Sequence, residues 1–189
     1  APRPFSSPAR ISPGEQIVFD LKPLKGGGAY HFISGAGGTV WVLRQEMFQP
    51  LMAARLEKGV EPAFEAISPE NWTNVERVSV SNDSSGHPIV FMMGCLQDAR
   101  DTRVVARAFD GDAWCEPALL DTFDGTGTFG SMVSLLDSKG CVHVVYDRRL
   151  APRESYGVME GQFPDKCFHA WSDGERWNRP KATTGKGEF

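Results

Sequence analysis

The sequence predicts an all-β chain built from about three copies of one four-stranded antiparallel unit. Three observations carry this reading. One segment recurs as Leu51–Gly59, Arg103–Gly111 and Lys166–Gly174, its closing glycines 52 and then 63 residues apart. A second shared element joins a glycine to an apolar run, in Gly38-Thr-Val-Trp-Val-Leu43, Gly86-His-Pro-Ile-Val-Phe91 and Gly140-Cys-Val-His-Val-Val145; self-similarity of this kind decides a repeat fold before any single element does. Helical periodicity is almost absent. Only residues 49 to 65 carry a pattern readable as a helix, and their match to the other two units outweighs it.

The elements of each unit follow in order. The first strand is Tyr30–Ser34, Val75–Val80 or Ser131–Leu136, runs rich in β-branched or apolar residues and bounded by turn formers. A turn leads to the glycine-led second strand; in the later two units it reads D-x-x-G, from Asp83 and Asp137. A variable loop leads to the third strand. A D-G turn follows, within D-G-x-x-W-x-x-P at Asp110–Pro117 and Asp173–Pro180, and the fourth strand is placed at the tryptophan. Four antiparallel strands in about 50 to 60 residues make a β-propeller blade. Blades stack face to face, so apolar residues on both faces of a strand are expected. The three units are placed at about 29–68, 69–121 and 122–180, after an N-terminal segment 1–28 and before a tail 181–189. The first is degenerate: Gly35 stands for the turn aspartate, and Lys58 and Pro62 stand for the Asp and Trp of the final turn. The segment Gln16–Leu21 is expected to be a strand completing a blade edge. Three blades do not close a ring, which takes about 4 to 8. A second copy or further blades are therefore expected.

Composition narrows the partners. The 189 residues carry 20 Lys+Arg interleaved with 24 Asp+Glu, a formal charge of −4, which disfavours nucleic acid. No run approaches the roughly 20 apolar residues of a membrane span. The start at Ala1, without an initiator Met or an apolar leader, suits an exported product or a piece of a longer chain; of these the exported product, with an extracellular or periplasmic location, is the expectation. Cys95, Cys115, Cys141 and Cys167 form no C-x-x-C pair, which disfavours a sulfur-bound metal; buried free thiols are expected, above all at Cys141 and Cys167. No metal and no cofactor is implied.

At Ser172–Trp177 and Phe109–Trp114 the sequence resembles a shortened form of the Asp-box (bacterial neuraminidase) repeat, S-x-D-x-G-x-x-W in full, found in sialidases and related propellers. The stretch Leu136–Asp147 is similar to the second-strand signature of propellers that include polysaccharide lyases and sugar-binding domains. The likeness covers residues 29 to 180 and implies a fold, while such propellers host hydrolases, lyases, lectins and scaffolds. It also implies that ligands meet the face opposite the Asp turns. The turn aspartates are then structural acceptors for backbone N–H groups, and the tryptophans fill space between blades.

The face opposite the Asp turns carries Arg44-Gln-Glu46, Gly94 to Thr102 and the long loop from Asp147 to Asp165. Arg148, Arg149 and Arg153, beside Tyr156, suit a carboxylated or sulfated sugar through planar guanidinium forks and ring stacking, with Arg44 and Tyr30 as further contacts and Trp41 as another stacking face. His143 and Tyr146, three apart on one strand, project to opposite faces and cannot form a dyad with each other. Each remains a candidate base for a lyase acting with a group from another blade. The reading is a propeller that handles an acidic polysaccharide. Two alternatives stand: a lectin-like or assembly propeller without turnover, and a sialidase-like hydrolase.

Overall fold

The computed structural model describes residues 28–57, 59–70, 72–96, 101–124, 131–149, 165–178 and 180–183. They form three four-stranded antiparallel sheets, each strand pairing with its neighbour in sequence. The first holds β1 (Ala29–Ser34), β2 (Val40–Gln45), β3 (Met52–Leu56) and β4 (Glu65–Ala66). The second holds β5 (Trp72–Asn82), β6 (Pro88–Leu96), β7 (Asp101–Ala108) and β8 (Ala118–Asp124). The third holds β9 (Met132–Leu136), β10 (Val142–Arg149), β11 (Asp165–Ser172) and β12 (Lys181–Thr183). The expected blade plan holds, and three sheets leave the ring open. The only helical piece among the described residues is the 3-10 turn Ala36–Gly38, where the first unit lacks the turn aspartate. None of them forms a helix long and apolar enough to cross a membrane. Gln16–Leu21 lies outside the described residues.

The second strand of each sheet explains the apolar runs. On β6, Val90 and Met92 join Trp41, Leu43 and Ala53 in the cluster between the first and second sheets. Their neighbours Ile89, Phe91 and Met93 join Val142, Val144, Tyr146 and Ala170 in the cluster between the second and third. All five β6 residues are at most 7% exposed. A strand buried on both faces has no polar side to alternate with, so period-2 patterning disappears from its sequence. Trp41 is 5% exposed within this core, so the expected sugar-stacking role gives way to packing.

The Asp turns are built as the sequence implied. Asp83 Oδ1 accepts the N–H groups of Ser85 and His87, each at 2.8 Å, and Asp137 Oδ1 those of Lys139 and Cys141 at 2.8 and 2.9 Å. Gly86 and Gly140 both take φ +82°, a left-handed conformation glycine reaches without a Cβ clash. In the D-G turns, Asp110 accepts from Asp112 and Ala113, and Asp173 from Glu175 and Arg176. These backbone donors hold the Asp110, Asp137 and Asp173 carboxyls below the usual carboxylate range.

Two local expectations are corrected. Trp114 and Trp177 do not open the fourth strands; they form single bridges with Phe109 and Ser172, and β8 and β12 begin four residues later. The proline three residues beyond each tryptophan lacks an N–H for a ladder, so regular pairing resumes only after it. All four cysteines are free, as expected, but Cys115 and Cys167 are exposed and Cys95 and Cys141 only partly buried. Cys167 lies on the outward side of β11, where its thiol donates to Asp147 Oδ1 at 2.9 Å.

Each box tryptophan packs against the preceding blade. Trp114 meets Trp41 edge-on at 5.3 Å, and Trp177 meets Phe91 at 5.5 Å. Trp114 is buried and Trp177 only partly so. Trp114→Ala is therefore expected to cost about 3–5 kcal/mol, and Trp177→Ala less, about 1–3 kcal/mol in proportion to the smaller area covered. Chemical denaturation of both variants checks the order; an unchanged midpoint in Trp114→Ala contradicts the packing. The turn aspartates supply a second expectation. A carboxyl with a depressed folded pKa stabilises above its ordinary value of 3.8 and loses that contribution as pH falls through the lower folded value. Acid titration of the fold should show Asp137→Asn less stable than the parent at neutral pH, with the two converging at the acid end.

Candidate functional site

In the second and third sheets the D-x-x-G turns join the first and second strands, and the D-G turns follow the third strands, at the same end of the antiparallel strands; the other end is the loop face. On the loop face, an open cleft of about 430 Å³ lies between the first and second sheets. Ala29, Gln45, Glu46 and Met47 form one wall, and Asn74, Val75, Glu76 and Arg77 the other.

The second wall owes its shape to two irregularities in β5. Its register against β6 slips between Trp72 and Asn74 and again between Val75 and Arg77, so Glu76 is an inserted residue with no partner on β6. A bulge of this kind bends the strand and redirects a side chain. Gly94 on β6 makes room for it: a Cβ there would run into the Asn74 carbonyl oxygen and the Trp72 ring. Beside the bulge, the Val75 carbonyl accepts a hydrogen bond from Gln45 Nε2 of the opposite wall at 2.6 Å. Gln45 is itself oriented by His31, whose Nε2 lies 3.1 Å from Gln45 Oε1. The cleft is thus laced across its floor from the first sheet to the second.

Its chemistry is polar and carboxyl-rich. Burial pushes the Glu76 carboxyl above its ordinary range, and the neighbouring Arg77 charge offsets only part of this. Glu76 Oε2 is shielded from solvent and lacks a hydrogen-bond partner among the described residues. Arg77 Nη1 donates to the Glu76 carbonyl oxygen at 2.7 Å. Across the cleft, Glu46 Oε1 lies 3.2 Å from Arg44 Nε. A carboxyl whose pKa is raised is the better placed to give or take a proton, or to donate a hydrogen bond to a hydroxyl-rich ligand. No group of three or more His, Cys, Asp or Glu among the described residues is placed to hold a metal ion.

The residues singled out from sequence fall in three places. Arg44 and Tyr30 are register partners on β2 and β1; the Arg44 guanidinium sits 4.7 Å over the Phe64 ring, and Tyr30 packs with Phe64 on the far face of the first sheet. Tyr146 is 1% exposed between the second and third sheets, with its hydroxyl donating to Asp121 Oδ2 at 2.8 Å. His143 points to the other face of β10, with Nε2 3.2 Å from Asp137 Oδ2 and Nδ1 2.9 Å from His169 Nε2. His143 and Tyr146 therefore do not meet, as their spacing required. The backbone of Arg148 and Arg149 ends β10 on the loop face, while Arg153 and Tyr156 lie outside the described residues. Sequence reasoning marked Glu46 and Gly94 as part of the face but passed over Glu76. Its only signal was that glycine inside the pattern of the partner strand.

No protein-family model and no curated protein matches the chain. Solved structures do. The chain is similar to an alpha-L-arabinanase of Penicillium chrysogenum complexed with arabinobiose, at 12% identity and TM-score 0.53, over 83% of this chain and 49% of the arabinanase. It is also similar to a fucose lectin of Kordia zhangzhouensis in complex with methyl-fucoside (16% identity, TM-score 0.48, 82% of this chain and 99% of the lectin). A third similarity is to a mutant of NanB sialidase from Streptococcus pneumoniae (12% identity, TM-score 0.49, 82% of this chain and 24% of the sialidase). The chain spans about half of the arabinanase and a quarter of the sialidase. At this identity the arabinanase likeness establishes the fold alone, a set of propeller blades.

Glu76 carries the clearest consequence. A carboxyl whose folded pKa is raised opposes folding once pH exceeds its ordinary value of 4.5, because the unfolded chain ionises more readily. Glu76→Gln is expected to raise the thermal midpoint at neutral pH, with the gain vanishing as pH falls below 4.5. Thermal melts across that range decide it; a pH-independent difference rejects the strained carboxyl. Gly94→Ala, by crowding the bulge, should cost about 1–3 kcal/mol.

Proposed function

We propose that this chain is part of a carbohydrate-handling propeller, with the cleft between its first two blades as the sugar site. The observation that carries the reading is the cleft wall built by the β5 bulge, which places Glu76 opposite Glu46 among Gln45, Asn74 and Arg77. Planar amides, carboxyls and a guanidinium around an open groove match the donors and acceptors of a polyhydroxylated chain. Two carboxyls on facing walls, one biased towards its protonated form, are the parts from which glycoside cleavage is assembled. The proteins named by the similar solved structures, an arabinanase with arabinobiose, a fucose lectin and a sialidase, agree with a sugar ligand.

The finer reading is an acidic glycan, met outside the cytoplasm. Its support is the concentration of Arg148, Arg149 and Arg153 near Tyr156 in the sequence of the third unit, with the backbone of Arg148 and Arg149 ending β10 on the loop face. Guanidinium forks would pair with carboxylates or sulfates along the chain while Glu76 addresses the sugar ring. Proton transfer is assigned to Glu76 in preference to Tyr146, whose hydroxyl is committed to Asp121 within the core, and to His143, which lies on the far face of the third sheet. A lectin-like module without turnover is the second reading, favoured by the lack of a second unpaired carboxyl, since Glu46 faces Arg44.

Incubation with uronate-containing and sulfated polysaccharides tests both. Growth of the ultraviolet band of an unsaturated uronate identifies a lyase, new reducing ends without that band a hydrolase, and calorimetric binding without either a lectin. In each case Glu76→Ala is expected to reduce turnover or affinity at least tenfold. Failure of every neutral and acidic glycan to bind overturns the carbohydrate reading, and binding confined to neutral glycans overturns the acidic one.

A further inference from the structure

We propose that the turn joining β2 to β3, residues 46–49, is a stacking platform for a pyranose ring, with the apolar Met47 and Phe48 side chains taking the ring's C–H face beside the cleft. The inference rests on the carbohydrate reading of that cleft and adds the ring class of its ligand. It starts from a conflict between sequence and backbone. The Gln49 N–H donates to the Glu46 carbonyl oxygen at 3.3 Å, which closes a four-residue β-turn. Phe48, at the third position of that turn, takes φ +58°, the only positive φ of a non-glycine residue among the described residues. Glycine or asparagine is the usual occupant of such a position, because a Cβ in the left-handed region crowds the following carbonyl oxygen. A bulky ring is held there against its local preference.

Packing within the chain does not offset that strain, since Met47 and Phe48 are 75% and 69% exposed. The turn is nevertheless braced. Gln45, which leads into it, is pinned between His31 and the Val75 carbonyl. Glu46 Oε1 lies 3.2 Å from Arg44 Nε. Gly28 packs so closely that a Cβ there would run into the Gln45 carbonyl oxygen and the Glu46 side chain. Strained backbone persists where its surroundings over-determine it, and such residues gather at ligand sites. A turn already fixed in shape presents its side chains to a ligand at a smaller ordering cost.

Position and chemistry name the occupant. Met47 belongs to the cleft wall that faces Asn74, Val75, Glu76 and Arg77, and Phe48 follows it at the apex of the turn. The turn sits at the loop end of β2 and β3. Blades stack through their sheet faces, so a neighbouring blade leaves the strand ends open. A protein partner is a poor match. A stable interface takes about 800 Å² from each side, whereas the apolar part of this turn is two side chains between the polar Glu46 and Gln49. A sugar ring is of that size and has both characters needed. Its hydroxyls suit the amides, carboxyls and guanidinium of the cleft, and its axial C–H bonds, slightly positive, suit the negative face of an aromatic ring. Pyranoses with equatorial hydroxyls, the gluco configuration and its uronate, carry such C–H bonds on both faces. A furanose ring lacks that row.

Calorimetric titration of the full chain with a β-1,4-linked gluco-oligosaccharide and a glucuronate-containing oligosaccharide tests the platform, with an arabinofuranose oligosaccharide as the contrast. The parent is expected to bind a pyranose probe at least tenfold more tightly than the arabinofuranose. Phe48→Gly should melt at or above the parent temperature, because glycine reaches φ +58° without a clash, and should bind at least tenfold more weakly. Phe48→Tyr, which keeps a ring face, should bind within a few-fold of the parent, and Met47→Ala should weaken binding in the same direction as Phe48→Gly. Affinity unchanged in Phe48→Gly but lost in Glu76→Ala overturns the platform and leaves the cleft. A Phe48→Gly melt below the parent's makes the ring a packing residue and overturns the platform as well. Arabinofuranose bound as tightly as the pyranoses overturns the ring class while the carbohydrate reading stands. Binding of no glycan at all overturns both.

Discussion

The structure depends on the burial of the second strands in the seams between neighbouring sheets. β6 shows the complete form: Val90 and Met92 are spent on one neighbour, Ile89, Phe91 and Met93 on the other. A lone four-stranded sheet would expose both of those sets, and removing them from water is the main source of favourable free energy in such a stack. Stability in this chain is therefore a property of seams between blades more than of blades. The cross-seam hydrogen bonds follow the same logic: the Ser79 and Ser134 hydroxyls meet at 2.8 Å, and Asn82 Nδ2 donates to Ser34 O at 2.7 Å. They set the register of one sheet on the next, which packing alone leaves free to slide.

The two faces of the stack are built to different rules. On the turn face, an aspartate accepts backbone N–H groups and a glycine takes the left-handed position, and the same geometry recurs at Asp83–Gly86 and Asp137–Gly140. Short, internally bonded turns leave little room for a ligand. On the loop face the connections differ in length and composition from blade to blade. The cleft lies there, where Gln45 reaches across to the Val75 carbonyl beside the β5 bulge. Repetition supplies the frame, and departure from it supplies the site.

That division also decides what was legible in the sequence. Blade order, the strands and the Asp turns could be read because each recurs, so that one unit corrects another; residues 49 to 65, helix-like in isolation, read as strand by comparison, and β3 runs Met52–Leu56. The start of the fourth strand was misplaced because the tryptophan is a packing residue and the proline after it delays pairing. Trp41 was read as a ligand face because the sequence does not say which neighbour covers a strand. Glu76 was illegible for a deeper reason. A bulge is a one-residue mismatch between two strands, visible only once both are aligned in space, and Gly94 looks like any strand glycine until the Asn74 carbonyl is seen against it.

A bulge carrying a part-buried carboxyl works against stability: it interrupts a ladder and strains an acid. It persists here because the seam on either side is over-determined. Trp72 and Val75, just before the inserted residue, are both core, and Gln45 and His31 form a relay that satisfies the Val75 carbonyl. A polar group displaced by Glu76 is thus replaced by one from the neighbouring blade. The geometry of the site is consequently a property of two blades at once, and any movement of the first sheet against the second alters the cleft wall and the carboxyl's environment together. On the third sheet the outward His143 stands where the inner blades place Trp41 and Ile89, and Asp137 and His169 engage its two ring nitrogens. A polar group at such a position is tolerated because neighbouring groups satisfy it.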